Sequence, residues 1–552
     1  MTTRNPLSTC LLGAALLLAS GCSSDPAAED AAAGSAAVTG GNGNSVAGTA
    51  AAAAGHAGAL TNGGLGGNLG MGGAGGSSAG SNQAGQSGAG ATAGAAGGTG
   101  GASSAGGAAG AGGTAGAGGS APSGPLPPSV TSLFPAPGAS GVCVDAPLTI
   151  NFASKPSIGA KGTIRIYAKA SPSTVVDSID VAATSFSDTI GGQARNLVRP
   201  VFIDDNSAVV YFHQHKLSPS TTYFVNISSG TFVDGQQAPL GTVTDQTLWT
   251  FTTGPAPAAS ASMTVDRLGS GQFCTVQGAF DAIAANDAAA RTITVASGKY
   301  HELLYLGAKK NIKLRGADRA GTVLAYPNND KLNAGTSARP LFYANGSTGL
   351  SIENLTIYNT TPQDGSQAEA LRINADQVTV REVNLKSLQD TLQSTGKVYV
   401  VDSYIEGNVD FIWGNGPTYF DHCEIKTVGR AGAIVQARNG SGYGFVFVDS
   451  KLTADAGVTG QILARIDATA YPSSNVAYLN CQMTGIAAKG WTITPQGTSA
   501  TGQLRFWEYQ STDASGTALS VSGRDAASKQ LSATDAATLR DKATVLGGWN
   551  PP

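Results

Sequence analysis

Leu385-Lys386-Ser387-Leu388-Gln389-Asp390-Thr391-Leu392 is echoed twenty residues later by Ile405-Glu406-Gly407-Asn408-Val409-Asp410-Phe411-Ile412, and Ile425 falls a further twenty along. Each Asp stands five residues beyond its apolar marker, 385 to 390 and 405 to 410, so both carboxylates share one phase of a repeat. If each repeat is one coil of a parallel stack, neighbouring strands lie about 4.8 Å apart and the two acids come within touching distance. Like charges that close do not both ionise cheaply, so one acid is expected neutral and the other charged. Such a pair suits a nucleophile with an acid/base partner.

The same phrase recurs as Ile352-Glu353-Asn354-Leu355-Thr356-Ile357, Val401-Asp402-Ser403-Tyr404-Ile405, Phe420-Asp421-His422-Cys423-Glu424-Ile425, Val448-Asp449-Ser450-Lys451-Leu452 and Leu479-Asn480-Cys481-Gln482-Met483. Its period-two alternation predicts a strand at each phrase. The markers Ile357, Leu385, Ile405, Ile425, Leu452 and Met483 are 28, 20, 20, 27 and 31 residues apart. That is too short for strand-helix-strand units throughout and regular enough for one coil per repeat, so a solenoid is expected. Two residues before each marker stand Leu355, Val383, Ser403, Cys423, Ser450 and Cys481, a ladder expected to face inward. Ser450 separates Cys423 from Cys481 by two coils, beyond disulfide reach.

The rest of the 552 residues divides by texture. Residues 1–21 carry Arg4, an apolar run from Leu11 to Ala19 and then Ser20-Gly21 before Cys22. This resembles a bacterial lipobox, which implies a lipoprotein signal peptide, lipidation of Cys22 and export to an outer membrane or cell surface. Residues 22–126 are expected to be a disordered tether: from 31 to 124 there is no Lys, Arg, Asp, Glu or aromatic residue, too little apolar surface to offset ordering entropy. Residues 127–254 have the short strands and turn punctuation of a β-sandwich, with candidate strands at 148–152, 163–167, 208–212, 223–227 and 248–252. Residues 255–261, Pro-Ala-Pro-Ala-Ala-Ser-Ala, read as a hinge, and the solenoid fills 262–552.

A formal net charge of −3 argues against a nucleic-acid partner. No CxxC and no His/Cys cluster has zinc spacing, so neither metal nor cofactor is expected. His213-Gln214-His215 could put two imidazoles on one strand face, but with no third ligand they read as solvated residues. The only Gly-x-Ser-x-Gly string, Gly76 to Gly80, falls in the tether, which excludes a serine-hydrolase elbow. Whether Cys143 and Cys274 pair is left open.

Two resemblances sharpen these expectations. Val130-Thr131-Ser132-Leu133-Phe134-Pro135, Leu217 to Tyr223 and Trp249 to Gly254 resemble bacterial Ig-like domains. Gly269 to Phe273 with Thr275-Val276-Gln277, Gly298 to Glu302, Gln367 to Arg372, Gln389 to Leu392, Asp410 to Gly414, Gln436-Ala437-Arg438 and Leu463-Ala464-Arg465 resemble, in order, the motifs of pectin methylesterases. That resemblance implies an all-β, right-handed parallel β-helix and hydrolysis of methyl esters of pectin. It makes Asp410 the nucleophile, Asp390 the acid/base, Gln367 and Gln389 the oxyanion donors, and Arg465 the partner of Asp410. Trp413 stands where the family usually has Phe, and Asp467 where it usually has a sugar-stacking Trp; both are candidate substrate-binding positions. A monomer acting on cell-wall pectin is expected. An esterase or thioesterase acting on another ester, or a non-catalytic polysaccharide-binding protein, are the alternatives.

Overall fold

In the computed structural model the described residues are 124–496 and 503–552. Cys22, the apolar run before it and the Gly/Ala/Ser-rich expectation up to residue 123 lie outside them.

From residue 262 onward three parallel sheets run side by side, one of eleven strands and two of eight. Eight full coils contribute one strand to each sheet, the longest sheet extends beyond them at both ends, and the whole is a parallel β-helix. The apolar markers define its register: Ile357 pairs with Leu385, Leu385 with Ile405, Ile405 with Ile425, Ile425 with Leu452 and Leu452 with Met483. The residues two places before them, Leu355, Val383, Ser403, Cys423, Ser450 and Cys481, are all buried. The two hydroxyls in that ladder are satisfied. Ser403 Oγ donates to the carbonyl of Val401 and accepts from the Val383 amide, and Ser450 Oγ does the same with Val448 and Cys423. Cys423 and Cys481 are free, as expected, and burial pushes each thiol up to about 12.

The recurring phrases are not single strands. Each bends at its centre: Asn354, Asp402, His422, Asp449 and Asn480 have φ of 53°, 49°, 51°, 48° and 53°, and Glu382 at the same phase has 54°. These left-handed corners hand the chain from one sheet to the next, and Asn, Asp and His tolerate that region better than most residues. The inward set slips by one residue at the corner: Val400 and Phe420 face the interior before it and Ser403 and Cys423 after it, while the apolar residue next to several corners, Val401, Val448 or Leu479, packs in the outer row, so a bent pair imitates one alternating strand.

Inside the stack Phe420, Phe447 and Tyr478 lie face to face, with centroids 4.3 and 4.6 Å apart. Trp491 belongs to this interior, its Nε1 donating to the buried Glu508 at 3.1 Å, so it is not a sugar-stacking platform. Trp507 lies outside, with the helices Ala533–Arg540 and Lys542–Val545, which cover the apolar outer row Tyr419, Val446, Val448 and Leu479.

The N-terminal module has a four-stranded and a five-stranded sheet over one core. All five expected strands form within two residues of their bounds, as Leu148–Phe152, Thr163–Ala168, Ser207–Val210, Thr222–Ile227 and Thr250–Thr253. Of these, Ser207–Val210 stops before Tyr211. His213 and His215 therefore lie in the turn beyond it and not on one strand face; His213 binds Asp177 at 2.8 Å, and His215 sits at φ 59°. A hairpin, Phe186–Ile190 with Gln193–Leu197, reaches out to the β-helix.

Residues 255–261 form no strand, and they are not the sole connection. Cys143 and Cys274 form a disulfide, with Cα atoms 5.8 Å apart. Beside it Asp145 accepts the amides of Cys274 and Thr275 at 3.0 and 2.9 Å. A segment read as a hinge is thus flanked by a covalent staple.

Candidate active site

The strands Leu371–Asp376, Leu392–Thr395 and Ile412–Gly414 are neighbours in one eight-stranded sheet, with Leu371, Leu392 and Ile412 in register. Two residues before each stands an acid: Glu369, Asp390 and Asp410. The expected pair is therefore the end of a column of three. Asp390 and Asp410 occupy left-handed corners, φ 67° and 49°, with their amides donating to the next coil at Val409 and Ala433. All three acids are buried.

Two arginines divide the column between them. Arg465 grips Asp410 with both ends of its fork, Nε to Oδ1 at 2.7 Å and a terminal nitrogen to Oδ2. Arg339 takes the other two acids: Nε lies 3.0 Å from each oxygen of Glu369, and a terminal nitrogen lies 3.0 Å from Asp390 Oδ2. Its remaining nitrogen meets Asp330 at 3.2 Å. Bidentate arginine–carboxylate contacts are among the stronger charge-assisted bonds and fix direction as well as charge.

Asp390 is held well above the ordinary carboxylate range. Burial is the main cause; Glu369 and Asp410 add to it, while Arg339 and Arg438 oppose it. An acid pushed toward its neutral form therefore stands next to Asp410, which an arginine fork aims.

Gln389 lies half-buried at the edge of this group, its backbone pairing with Val409. Gln367 is also half-buried; its Oε1 accepts from Ser366 Oγ at 2.6 Å, which leaves its amide donors unengaged among the described residues. Trp413 is only 4% exposed, with the Arg438 guanidinium 4.7 Å and that of Arg339 5.7 Å from its ring. Its face is used by arginines and is not an open platform. Asp467 lies on the same strand as Arg465, but its carboxylate turns back to accept the amides of Thr469 and Ala470, both at 2.9 Å. It caps a turn. Neither histidine of the β-helix approaches the acids: His301 binds Asp204 of the sandwich, and exposed His422 binds Asp421.

This arrangement has relatives. The Pectinesterase family profile matches residues 262–538, just over half of the chain. The chain belongs to the pectinesterase family. That family comprises carboxylic ester hydrolases, and the upstream residues 125–253 match the bacterial Ig-like domain profile. Pectinesterase 31 of Arabidopsis thaliana is 31% identical over 211 residues, 36% of this chain and 67% of the relative. Pectinesterase/pectinesterase inhibitor 18 of the same plant is 33% identical over 168 residues, 30% of each chain. Among solved structures, the pectin methylesterase of Aspergillus niger aligns at 27% identity over 52% of this chain and 95% of that one, with a TM-score of 0.46.

Sequence reasoning missed Arg339 and Glu369 as members of the site. Glu369 was legible in principle: Leu371 precedes Leu392 by 21 residues as Leu392 precedes Ile412 by 20, which puts position 369 in the acid phase. Arg339 carries no such signal, because it comes from the loop between the strands Thr322–Tyr326 and Phe342–Thr348 and shares no coil position with its partners.

Proposed function

We propose that the chain hydrolyses methyl esters of polygalacturonate to free carboxylate and methanol. The observation that carries this reading is Asp410 held in the Arg465 fork directly beside Asp390, whose carboxyl is pushed toward its neutral form. In the proposed first step an Asp410 oxygen attacks the ester carbonyl carbon. The negative charge moves to the carbonyl oxygen, where the side-chain amides of Gln367 and Gln389 donate to it; each such donor lowers the barrier by about 2–4 kcal/mol. As the tetrahedral centre collapses, the C–O bond to methanol breaks and the Asp390 proton goes to the departing oxygen. Asp410 is left acylated as an anhydride. Asp390, now a carboxylate, takes a proton from water; the hydroxyl oxygen attacks the same carbon, Asp410 departs as carboxylate, and the galacturonate acid is released.

In the same proposal, lipidation of Cys22 tethers the enzyme to the bacterial envelope, and the chain works as a monomer on cell-wall pectin. A second reading, an ester other than the pectin methyl ester, is favoured by Asp467, which puts a carboxylate where the resemblance leads one to expect a ring. Incubating the full chain with methylated and with acetylated pectin, and assaying methanol and acetate separately, decides between them. Methanol alone supports the first reading, acetate alone the second, and neither product contradicts both.

A further inference from the structure

The hairpin Phe186–Ile190/Gln193–Leu197 belongs to the Ig-like module, yet its far strand is bonded into the loop that supplies Arg339. The Asn196 amide donates to Asn333 Oδ1 at 2.8 Å, its carbonyl accepts from Asn333 Nδ2 at 2.9 Å, and its own side chain donates to the Leu332 carbonyl at 3.0 Å. One residue earlier, Arg195 donates to the Ser337 carbonyl at 2.9 Å. Asn333 passes the connection inward: its Nδ2 also donates to Asn328 Oδ1 at 2.8 Å. Asn328, fully buried, donates from Nδ2 to the carbonyls of Ala338 and Pro340 at 3.0 and 2.9 Å, the residues on either side of Arg339. Asn359 fixes the same spot, donating to the carbonyls of Asn328 and Glu369 at 2.7 and 3.0 Å.

A chain of hydrogen bonds thus runs from the Ig-like module through Asn333 and Asn328 to the carbonyls of the residues on either side of Arg339, whose guanidinium touches Asp390. We propose that the Ig-like module is a working part of the esterase, its hairpin holding the Arg339 loop in the position from which the guanidinium sets the protonation and direction of Asp390. Asn196, Asn333 and Asn328 are positioning residues; they touch none of the reacting groups. The inference rests on the proposed ester hydrolysis at Asp410 and Asp390.

The geometry explains why the anchor matters. Arg339 faces four groups, Glu369, Asp390, Asp330 and the Trp413 ring, and Asp390 in turn faces Glu369, Asp410, Arg339 and Arg438. Arg339 and Arg438 draw the Asp390 carboxyl downward against burial and the two neighbouring acids. A loosened Arg339 loop leaves fewer cations to oppose those acids, so Asp390 titrates at higher pH. Misplacement of a catalytic contact by about 1 Å can lower a rate up to a hundredfold, so the kinetic effect is on turnover more than on substrate affinity.

The test uses the full chain and methanol release from methylated polygalacturonate. Asn333→Ala breaks the junction itself, whereas Arg195→Ala with Asn196→Ala removes only the side-chain bonds to Ser337 and Leu332 and keeps the two main-chain bonds of residue 196 to Asn333; thermal unfolding checks that each variant is folded. The expected result for Asn333→Ala is a fall in kcat of about tenfold with KM within about twofold, and an alkaline limb of kcat/KM displaced to higher pH; the Arg195/Asn196 pair should move kcat and the limb in the same directions by less. In an Arg339→Gln background the same hairpin changes should have no further effect on that limb, because they act through Arg339. If folded Asn333→Ala keeps the wild-type kcat and alkaline limb, or if its effect adds in full to that of Arg339→Gln, the inference is overturned while the esterase reading stands. Absence of methanol release by the unaltered chain overturns both.

Discussion

Asp390 and Asp410 sit in left-handed backbone corners that few residue types other than glycine accept readily, so Asn is the substitution that removes the charge and keeps the local fold. Asp390→Asn should retain the nucleophile but lose both leaving-group protonation and water activation. Its residual kcat/KM should lack the alkaline limb, because nothing is left at that position to deprotonate. In the unaltered chain the profile should be a bell whose limbs belong to the coupled pair. Asp390 titrates above the ordinary range, so activity needing its proton persists upward in pH until that proton is lost. At Asp467 two effects compete. Asp467→Trp should lower KM on long methylated substrates several-fold, since ring stacking contributes about 0.5–1.5 kcal/mol. It should also lower the unfolding free energy by about 1 kcal/mol, because the caps on Thr469 and Ala470 go with the carboxylate. Steady-state kinetics and denaturant titration of one variant check both.

At the scale of elements, the coil register was legible because every coil repeats one short pattern: an apolar marker, and an inward residue two places earlier. Tight parallel pairing leaves little freedom to change it. Leu385, Ile405 and Ile425 could be aligned from spacing alone, and the alignment carried Asp390 and Asp410 with it. Corners were not legible, since the apolar residue just before a left-handed Asp402 or Asp449, Val401 or Val448, is buried on the outer face and makes two bent strands read as one. The aromatic stack was hidden too, because Phe447 and Tyr478 meet only after each strand takes its place in the sheet. Phe447→Ala should cost about 3–5 kcal/mol of stability, read as a lower denaturant midpoint. Glu302, from the Gly298–Glu302 motif, has a structural role in the fold: both its oxygens accept amides at the start of the helix Val276–Asp281, at 3.0 Å each. Burial pushes its carboxyl up to about 8 from an ordinary 4.5. The folded state then holds that proton more tightly than the unfolded chain, so this group's contribution to stability falls as pH rises from about 4.5 to about 8. Thermal unfolding of Glu302→Gln should therefore show a flatter dependence across that window than the unaltered chain; parallel curves would contradict the assignment.

For the whole molecule, the sequence separated sandwich from solenoid by texture but gave no sign of how they join. The Cys143–Cys274 disulfide, the Asp145 contacts and the hairpin bond residues that are 129 or more positions apart, and no local pattern announces such pairs. Peptide mapping after alkylation of the unreduced, denatured chain should find Cys423 and Cys481 labelled and Cys143 linked to Cys274. A bond between Cys423 and Cys481 would overturn the coil register. The same logic separates the proposed catalytic acids from their supports: two acids one coil apart could be read from period, whereas Arg339 arrives from a loop and Arg465 from a coil 55 residues beyond Asp410. The central claim is that Asp410 is the nucleophile, and methanol release from methylated polygalacturonate by the full chain and by Asp410→Asn tests it most directly. The unaltered chain should release methanol and the variant should lose activity by about a thousandfold or more; near-wild-type release by a folded Asp410→Asn would contradict it.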